Sequence, residues 1–301
     1  MAAWVYLSIT AAAFQTLRFM LQKTLAMGGL SAAAATFARF AYAAPFAFLL
    51  AVGYLWWRGE AVPALGAGFW AHALIGGLAQ ILATWCVVAL FSRRNFAVGI
   101  TFKKTEVIQT ALVGYLILGD RISLPAALAI VLGLWGVLVL SHTPGLTTGG
   151  LLGGVRNRAA ALGLGSGALF AVSAVAYRGA TLEVGSADPF LRAAVAVSAV
   201  TLMQTLAMAA WLARAEPGQL GRVWAARRRA IWMGAAGLGG SVSWFTAFTL
   251  QNAAYVFAVG QIEVIFSLAA SVLVFRERVS GRELVGIALL TASILTLVLT
   301  G

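Results

Sequence analysis

The chain has 301 residues, of which 61% are hydrophobic and only 10% charged, against roughly 25% charged in a soluble globular domain. That balance excludes an ordinary soluble fold, and apolar runs of the ~20 residues a helix needs to cross a bilayer core recur from end to end. The net charge of +12 does not point to nucleic acid, because most basic residues are arginines of short loops rather than a basic domain interleaved with aromatics.

Hydropathy predicts ten membrane-spanning helices, at 3–25, 31–57, 67–91, 96–118, 123–141, 159–180, 187–212, 230–251, 253–275 and 280–299. The opening residues, MAAWVYLSIT, lack the positive n-region of a cleavable signal, so the first segment is expected to be a retained span. Arg18 lies near the end of that span and is expected to snorkel to the interface. Arg39 falls in the second span. The single cysteine, Cys86, lies in the third. The fourth carries FKKTEVIQTAL, with Lys103, Lys104 and Glu106 inside an otherwise apolar run. After the fifth, HTPGLTTGGLLGGVRNR (142–158) reads as a linker between a first half, 1–141, and a second half, 159–301. Gly163 and Gly167 in the sixth span, and Gly237 and Gly240 in the eighth, suit close helix approach. Arg192 falls in the seventh span, Trp244 in the eighth, and Glu263, Phe266 and Ser267 in the ninth.

The two halves look related. NFAVGITFKKTEVIQTALVGYLILGDRIS from Asn95 aligns without gaps on NAAYVFAVGQIEVIFSLAASVLVFRERVS from Asn252, at a constant offset of 157. Glu106 meets Glu263, Asp120 meets Glu277, Arg121 meets Arg278 and Ser123 meets Ser280. Polar matches at fixed spacing carry more weight here than shared apolar residues. Halves with an odd number of spans enter the membrane from opposite sides, which makes an inverted repeat with its site near the bilayer midplane.

These paired stretches, each ending in an acidic–Arg–apolar–Ser turn (GDRIS and RERVS), resemble the drug/metabolite transporter superfamily, in its EamA-type branch. The resemblance implies an all-α polytopic membrane protein of ten transmembrane helices in two inverted five-helix repeats. It also implies a carrier of small metabolites working by alternating access. A basic residue in the second and seventh spans is common in the superfamily, which implies that Arg39 and Arg192 line the path. Many members have proline where Glu106 and Glu263 stand here, so no particular substrate carries over.

Glu106 lies eleven residues after Asn95 and fourteen before Asp120. That is roughly 16 Å from one end and 21 Å from the other, near the centre of a core about 30 Å thick. Glu263 occupies the equivalent place. A mid-bilayer charge costs at least about 2.5–3.5 kcal/mol, and such groups face a cavity or a partner. Helical spacing puts Lys103 and Thr110 on the face of Glu106 and turns Lys104 about 160° away. In the second half Ser267 replaces Thr110, Gly260 replaces Lys103, and Phe266 shares the face of Glu263. The expected substrate-binding set is therefore Glu106, Glu263, Lys103, Arg39, Arg192, Thr110, Ser267, Trp244 and Phe266, with the two carboxylates facing one aqueous chamber. Lys103 and Glu106 could instead be a structural pair, Glu263 could hydrogen-bond to a neighbouring helix, Lys104 could snorkel or face a helix neighbour, and Arg39 and Arg192 could snorkel. Five interior cations (with Arg18) against two carboxylates favour a substrate bearing a carboxylate or phosphate.

No catalytic or metal-binding constellation appears, since His72 and His142 stand alone, and no GxxxxGK[ST] loop is present. No cofactor and no enzymatic activity are expected. The favoured function is a secondary transporter exporting an amino acid or related zwitterion, with the lipid bilayer and a small molecule as partners and proton coupling open. The alternatives are an uptake carrier or exchanger for an anionic metabolite and, from another class, a membrane enzyme or scaffold. The expected location is the plasma (cell inner) membrane. Three basic loop residues on the side of the termini against thirteen on the other place both termini outside the cytoplasm by the positive-inside rule.

Overall fold

The computed structural model describes residues 2–91, 102–140, 158–266, 269 and 281–300. Most of the 142–158 segment, Ser267 and the residues between Phe91 and Thr101 lie outside the described residues. Those described form α1 (Ala3–Met27), α2 (Ala32–Arg58), α3 (Ala67–Phe91), α4 (Glu106–Leu118), α5 (Leu124–Leu140), α6 (Arg158–Leu182), α7 (Pro189–Ala215), α8 (Gln219–Ala225), α9 (Arg227–Leu250), α10 (Ala253–Gly260) and α11 (Gly281–Thr300). Helices α2, α3, α6 and α7 are long and apolar enough to cross a bilayer, and α4, α5 and parts of the ninth and tenth segments are shorter apolar helices. Large apolar side chains such as Trp56, Leu116, Leu206 and Trp232 stand on the outer surface, as a lipid-facing surface requires. The chain is an all-α polytopic membrane protein. The short helix α8 was not expected from hydropathy; it lies between α7 and α9 with Val223 buried, and the Tyr42 hydroxyl donates to Val223 O at 3.1 Å.

Local chemistry sets the helix ends. The Ser31 hydroxyl accepts from the Ala34 N–H at the start of α2, and Asp188 accepts from the Phe190 and Leu191 N–H groups at the start of α7, with Pro189 in the first helical position. Helices α2 and α4 end on Gly59 and Gly119, with φ of 66° and 67°, a left-handed conformation that glycine adopts without a Cβ clash.

Packing partners come in matched pairs. α3 packs on α6 as α1 packs on α9; α4 lies on α6 as α10 lies on α1; α9 meets α2 as α3 meets α7. Three further pairs, α2 with α7, α4 with α10 and α5 with α11, are their own counterparts. Helices α5 and α11 approach backbone to backbone. A Cβ on Gly136 would stand 2.8 Å from Leu290 N and 3.0 Å from Gly286 O, and the Ser293 hydroxyl donates to Ala129 O at 2.6 Å. Small residues allow that approach, which gives van der Waals contact in a setting where the hydrophobic effect gives none.

Two predictions follow from these contacts. Gly136→Val should lower stability in detergent by about 1–3 kcal/mol through overpacking, read by thermal unfolding; an unchanged midpoint would contradict the α5–α11 contact. Asp188→Ala should cost about 0.5–2 kcal/mol as a lost cap. Burial pushes the Asp188 carboxyl up, but the Tyr54 hydroxyl at 2.6 Å, the two backbone N–H donors and the Arg58 charge outweigh it and hold the group below its ordinary value. Its contribution is complete above the unfolded carboxylate value of about 3.9 and fades as pH falls through the lower folded value, so the wild-type advantage over Asp188→Ala should shrink on acidification.

Candidate functional site

Two chain breaks organise the interior. Ahead of α4, Lys104 and Thr105 form a turn between the helical residues Phe102–Lys103 and Glu106. After α10, Gln261 and Ile262 form a turn before helix resumes at Glu263. The offset of 157 carries one break onto the other. The Thr105 N–H bonds Phe102 O at 3.2 Å and the Ile262 N–H bonds Val259 O at 3.1 Å, tight i→i−3 contacts of the 3₁₀ kind. The ordinary i→i−4 spacing then resumes, from Gln109 N to Thr105 O at 3.2 Å and from Phe266 N to Ile262 O at 3.1 Å. Each break thus opens a new helical segment on a glutamate, the end of a helix dipole that favours negative charge.

Both carboxylates are claimed by lysines. Lys103 Nζ stands 2.8 Å from both Glu106 carboxylate oxygens, with side chains 4% and 6% exposed. Lys104 pairs with Glu263 across the two halves, and Gln15 Nε2 donates to the other Glu263 oxygen at 2.6 Å. A continuous helix would turn Lys104 away from Lys103's face; the turn at Lys104–Thr105 redirects it onto α10's continuation. Lys103 Nζ also lies 5.0 Å from the Phe170 ring centroid. Gly167 on α6 makes room for this arrangement, since a Cβ there would come within 3.1 Å of Lys103 O and 3.5 Å of Glu106 N.

Beside this network is a small cavity of about 30 Å³, room for a water or two. Its polar wall includes Gln15, Arg18, Arg39, Gln80, Ser173 and Tyr177. Its aromatic wall is Phe170, Trp244, Phe245, Phe248 and Phe257. Trp244 stacks on Phe248 with centroids 5.8 Å apart and meets Phe257 edge-on at 5.3 Å, and its indole rests on Gly260 at the second break. The Tyr177 hydroxyl donates to Gln80 Oε1 at 3.1 Å, and Gln204 Nε2 donates to both Gln80 Oε1 (3.1 Å) and the Tyr177 oxygen (3.2 Å). Larger spaces, of about 400 and 320 Å³, lie between α4 and α5 and between α3 and α7. Their walls are mostly apolar and carry exposed side chains such as Leu112 and Leu78, so they are grooves of the outer surface.

Several expected site residues come together and others do not. Glu106 and Lys103 are buried and Glu263 is partly buried beside them, and Arg39 and Trp244 line the cavity. The glutamates are not on its wall: Gln15 connects Glu263 to it, and Phe170 connects Lys103. Thr110 is buried, with its hydroxyl donating to Glu106 O at 2.7 Å. Phe266 is partly exposed, and Ser267 lies outside the described residues. Arg192 donates from Nε to Ser186 O at the start of its own helix, and it is absent from the cavity wall. The snorkelling expected of Arg18 is corrected: it is 3% exposed and turns inward, held by Gln22 Oε1 at 3.0 Å. Sequence reading missed Gln15, Gln80, Gln204 and Tyr177. The available signal was the amide side chain inside an apolar run, which must find a partner once buried.

The Lys104–Glu263 pair should be measurable as a coupling. Lys104→Met should destabilise by about 3–5 kcal/mol by stranding a buried carboxylate, and Lys104→Met combined with Glu263→Gln should recover most of that loss. Additive losses in thermal unfolding would show that the pair does not form.

Residues 157–299 match the model of the EamA-like transporter family. Among curated proteins none matches this sequence. A solved crystal structure of another protein superposes with a TM-score of 0.72 at 15% sequence identity, covering 99% of this chain and 96% of that one, which is a likeness of fold over nearly the whole length. Residues 157–299 therefore carry a likeness to the EamA-like transporter family, a family of multi-pass membrane transporters of small substrates within the drug/metabolite transporter superfamily.

Proposed function

We propose that this protein is a secondary transporter for an amino acid or related zwitterion, built as two inverted five-helix repeats, 1–141 and 159–301, that rock about the central network. The observation that carries the reading is the pair of equivalent breaks, each followed by a buried glutamate held by a lysine. Discontinuous helices at corresponding places of two halves are how carriers build midplane sites. The matched packing pairs support the same division, since exchanging the halves maps each contact onto another.

The cavity is too small for a metabolite, as ligand sites usually span about 300–1,000 Å³, so transport requires the halves to part. Lys104 and Glu263 sit on different halves, and parting them uncovers a carboxylate at mid-membrane. An ammonium group or a proton then takes the place of the lysine. Lys103 stays with Glu106 on its own half and Arg39 meets the anionic end. The charge distribution of the loops supports a topology with both termini outside the cytoplasm, and a reporter fused to the C-terminus that is active in the cytoplasm would reverse it.

Flux into proteoliposomes tests the mechanism. Glu106→Gln and Glu263→Gln should each cut zwitterion flux by at least about tenfold, the scale of one lost charged hydrogen bond. Undiminished flux at every pH would remove both glutamates from the mechanism. A second reading, an exchanger of anionic metabolites, is favoured by the excess of buried cations over carboxylates. Net charge movement during flux separates the two.

A further inference from the structure

Two guanidiniums share the cavity, and among the described residues neither forms an ion pair; the carboxylate whose charge acts on Arg18 is Glu263, which Lys104 holds. Arg18 on α1 and Arg39 on α2 are 3% and 5% exposed and line the same space. Both lie against Gly237 on α9, where a Cβ would stand 3.4 Å from Arg39 Cγ and 3.6 Å from Arg18 Cδ. Their partners are neutral. Arg18 donates to Gln22 Oε1 at 3.0 Å and lies 4.1 Å from the Phe19 ring centroid. Arg39 donates to Thr84 Oγ1 at 3.2 Å and lies 5.0 Å from the Phe40 centroid. Among the described residues, no carboxylate is within ion-pairing distance of either arginine, and the two buried glutamates nearby are engaged by lysines.

Each guanidinium has five N–H donors in a planar fork, and among the described residues a single hydrogen bond is found for each. A buried cation without a counter-charge is costly anywhere and more so at membrane depth. Such a pair persists where an anion comes to it. The fork matches the two oxygens of a carboxylate, and the wall formed by Trp244, Phe245, Phe248 and Phe257 suits an apolar body attached to that group.

We propose that Arg18 and Arg39 form a two-guanidinium subsite that binds the carboxylate of the transported molecule, with its apolar part against the Trp244 wall. The subsite rests on the transporter reading above and names the part of the substrate that the glutamates leave unassigned. Gly237 serves it by leaving space for both arginine stems.

The test uses the purified full chain in detergent, with tryptophan fluorescence following thermal unfolding at constant ionic strength. The probes are phenylacetate, phenylacetamide and benzylphosphonate. Phenylacetate should raise the midpoint in a saturable way, and phenylacetamide, which lacks only the charged group, should not. Arg18→Gln and Arg39→Gln should each raise the half-saturating phenylacetate concentration by at least about tenfold. Gly237→Val, which keeps both charges and crowds their stems, should also weaken binding, and it serves if an arginine variant fails to fold. The subsite is overturned if phenylacetate has no effect, if the amide stabilises equally, or if the effect survives every substitution. Tighter binding of benzylphosphonate than of phenylacetate overturns the carboxylate assignment in favour of a phosphate. Carboxylate-dependent stabilisation by phenylacetate without flux of any amino acid, phenylalanine included, in liposomes would keep the subsite and count against the transporter reading, so the two can fail separately.

Discussion

The interior of this protein depends on the pairing of buried carboxylates with lysines across interrupted helices. A glutamate at mid-membrane has no water to solvate it, and its desolvation cost is offset only by a close counter-charge. Lys103 meets Glu106 within one segment, and Lys104 reaches Glu263 on the other half. The breaks at 104–105 and 261–262 make this possible. They swing the second lysine off the face that a regular helix assigns it, and they start a new helical segment on each carboxylate.

That arrangement leaves the arginines. With both carboxylates engaged, Arg18 and Arg39 keep their charge in a cavity walled by aromatic rings and buried amides. The site is asymmetric although the packing around it is nearly symmetric. Gly260 stands where the first half has Lys103, and the space the lysine would fill is taken by the Trp244 indole.

The frame itself rests on close contact between helices. Gly136 and Gly286 bring α5 and α11 together, and Gly167 brings α6 onto the first break. The other tight contacts are between elements of opposite halves, such as α3 with α6 and α1 with α9. The halves are therefore interleaved, so relative motion changes the central cavity as well as the two mouths. Salt-bridged and capped ends, such as Asp188 with Tyr54 and Arg58, tie the loops outside that centre.

The amino-acid sequence by itself determined the membrane class and most of the apolar helices, because hydropathy is a local property of the chain. It also marked Glu106, Glu263 and Lys103 as buried, since a charge inside an apolar run has nowhere else to go. It could not place Arg18, which lies near a span end where snorkelling is the cheaper option, and whose inward-turned side chain packs against Gly237 from elsewhere in the fold. Helical spacing turned Lys104 away from Glu106 without naming its partner, Glu263 on a neighbouring helix. Only the tertiary structure decided that Lys104 meets Glu263 and that Gln15 joins them, because those contacts link residues 159 and 248 positions apart, which no local pattern records.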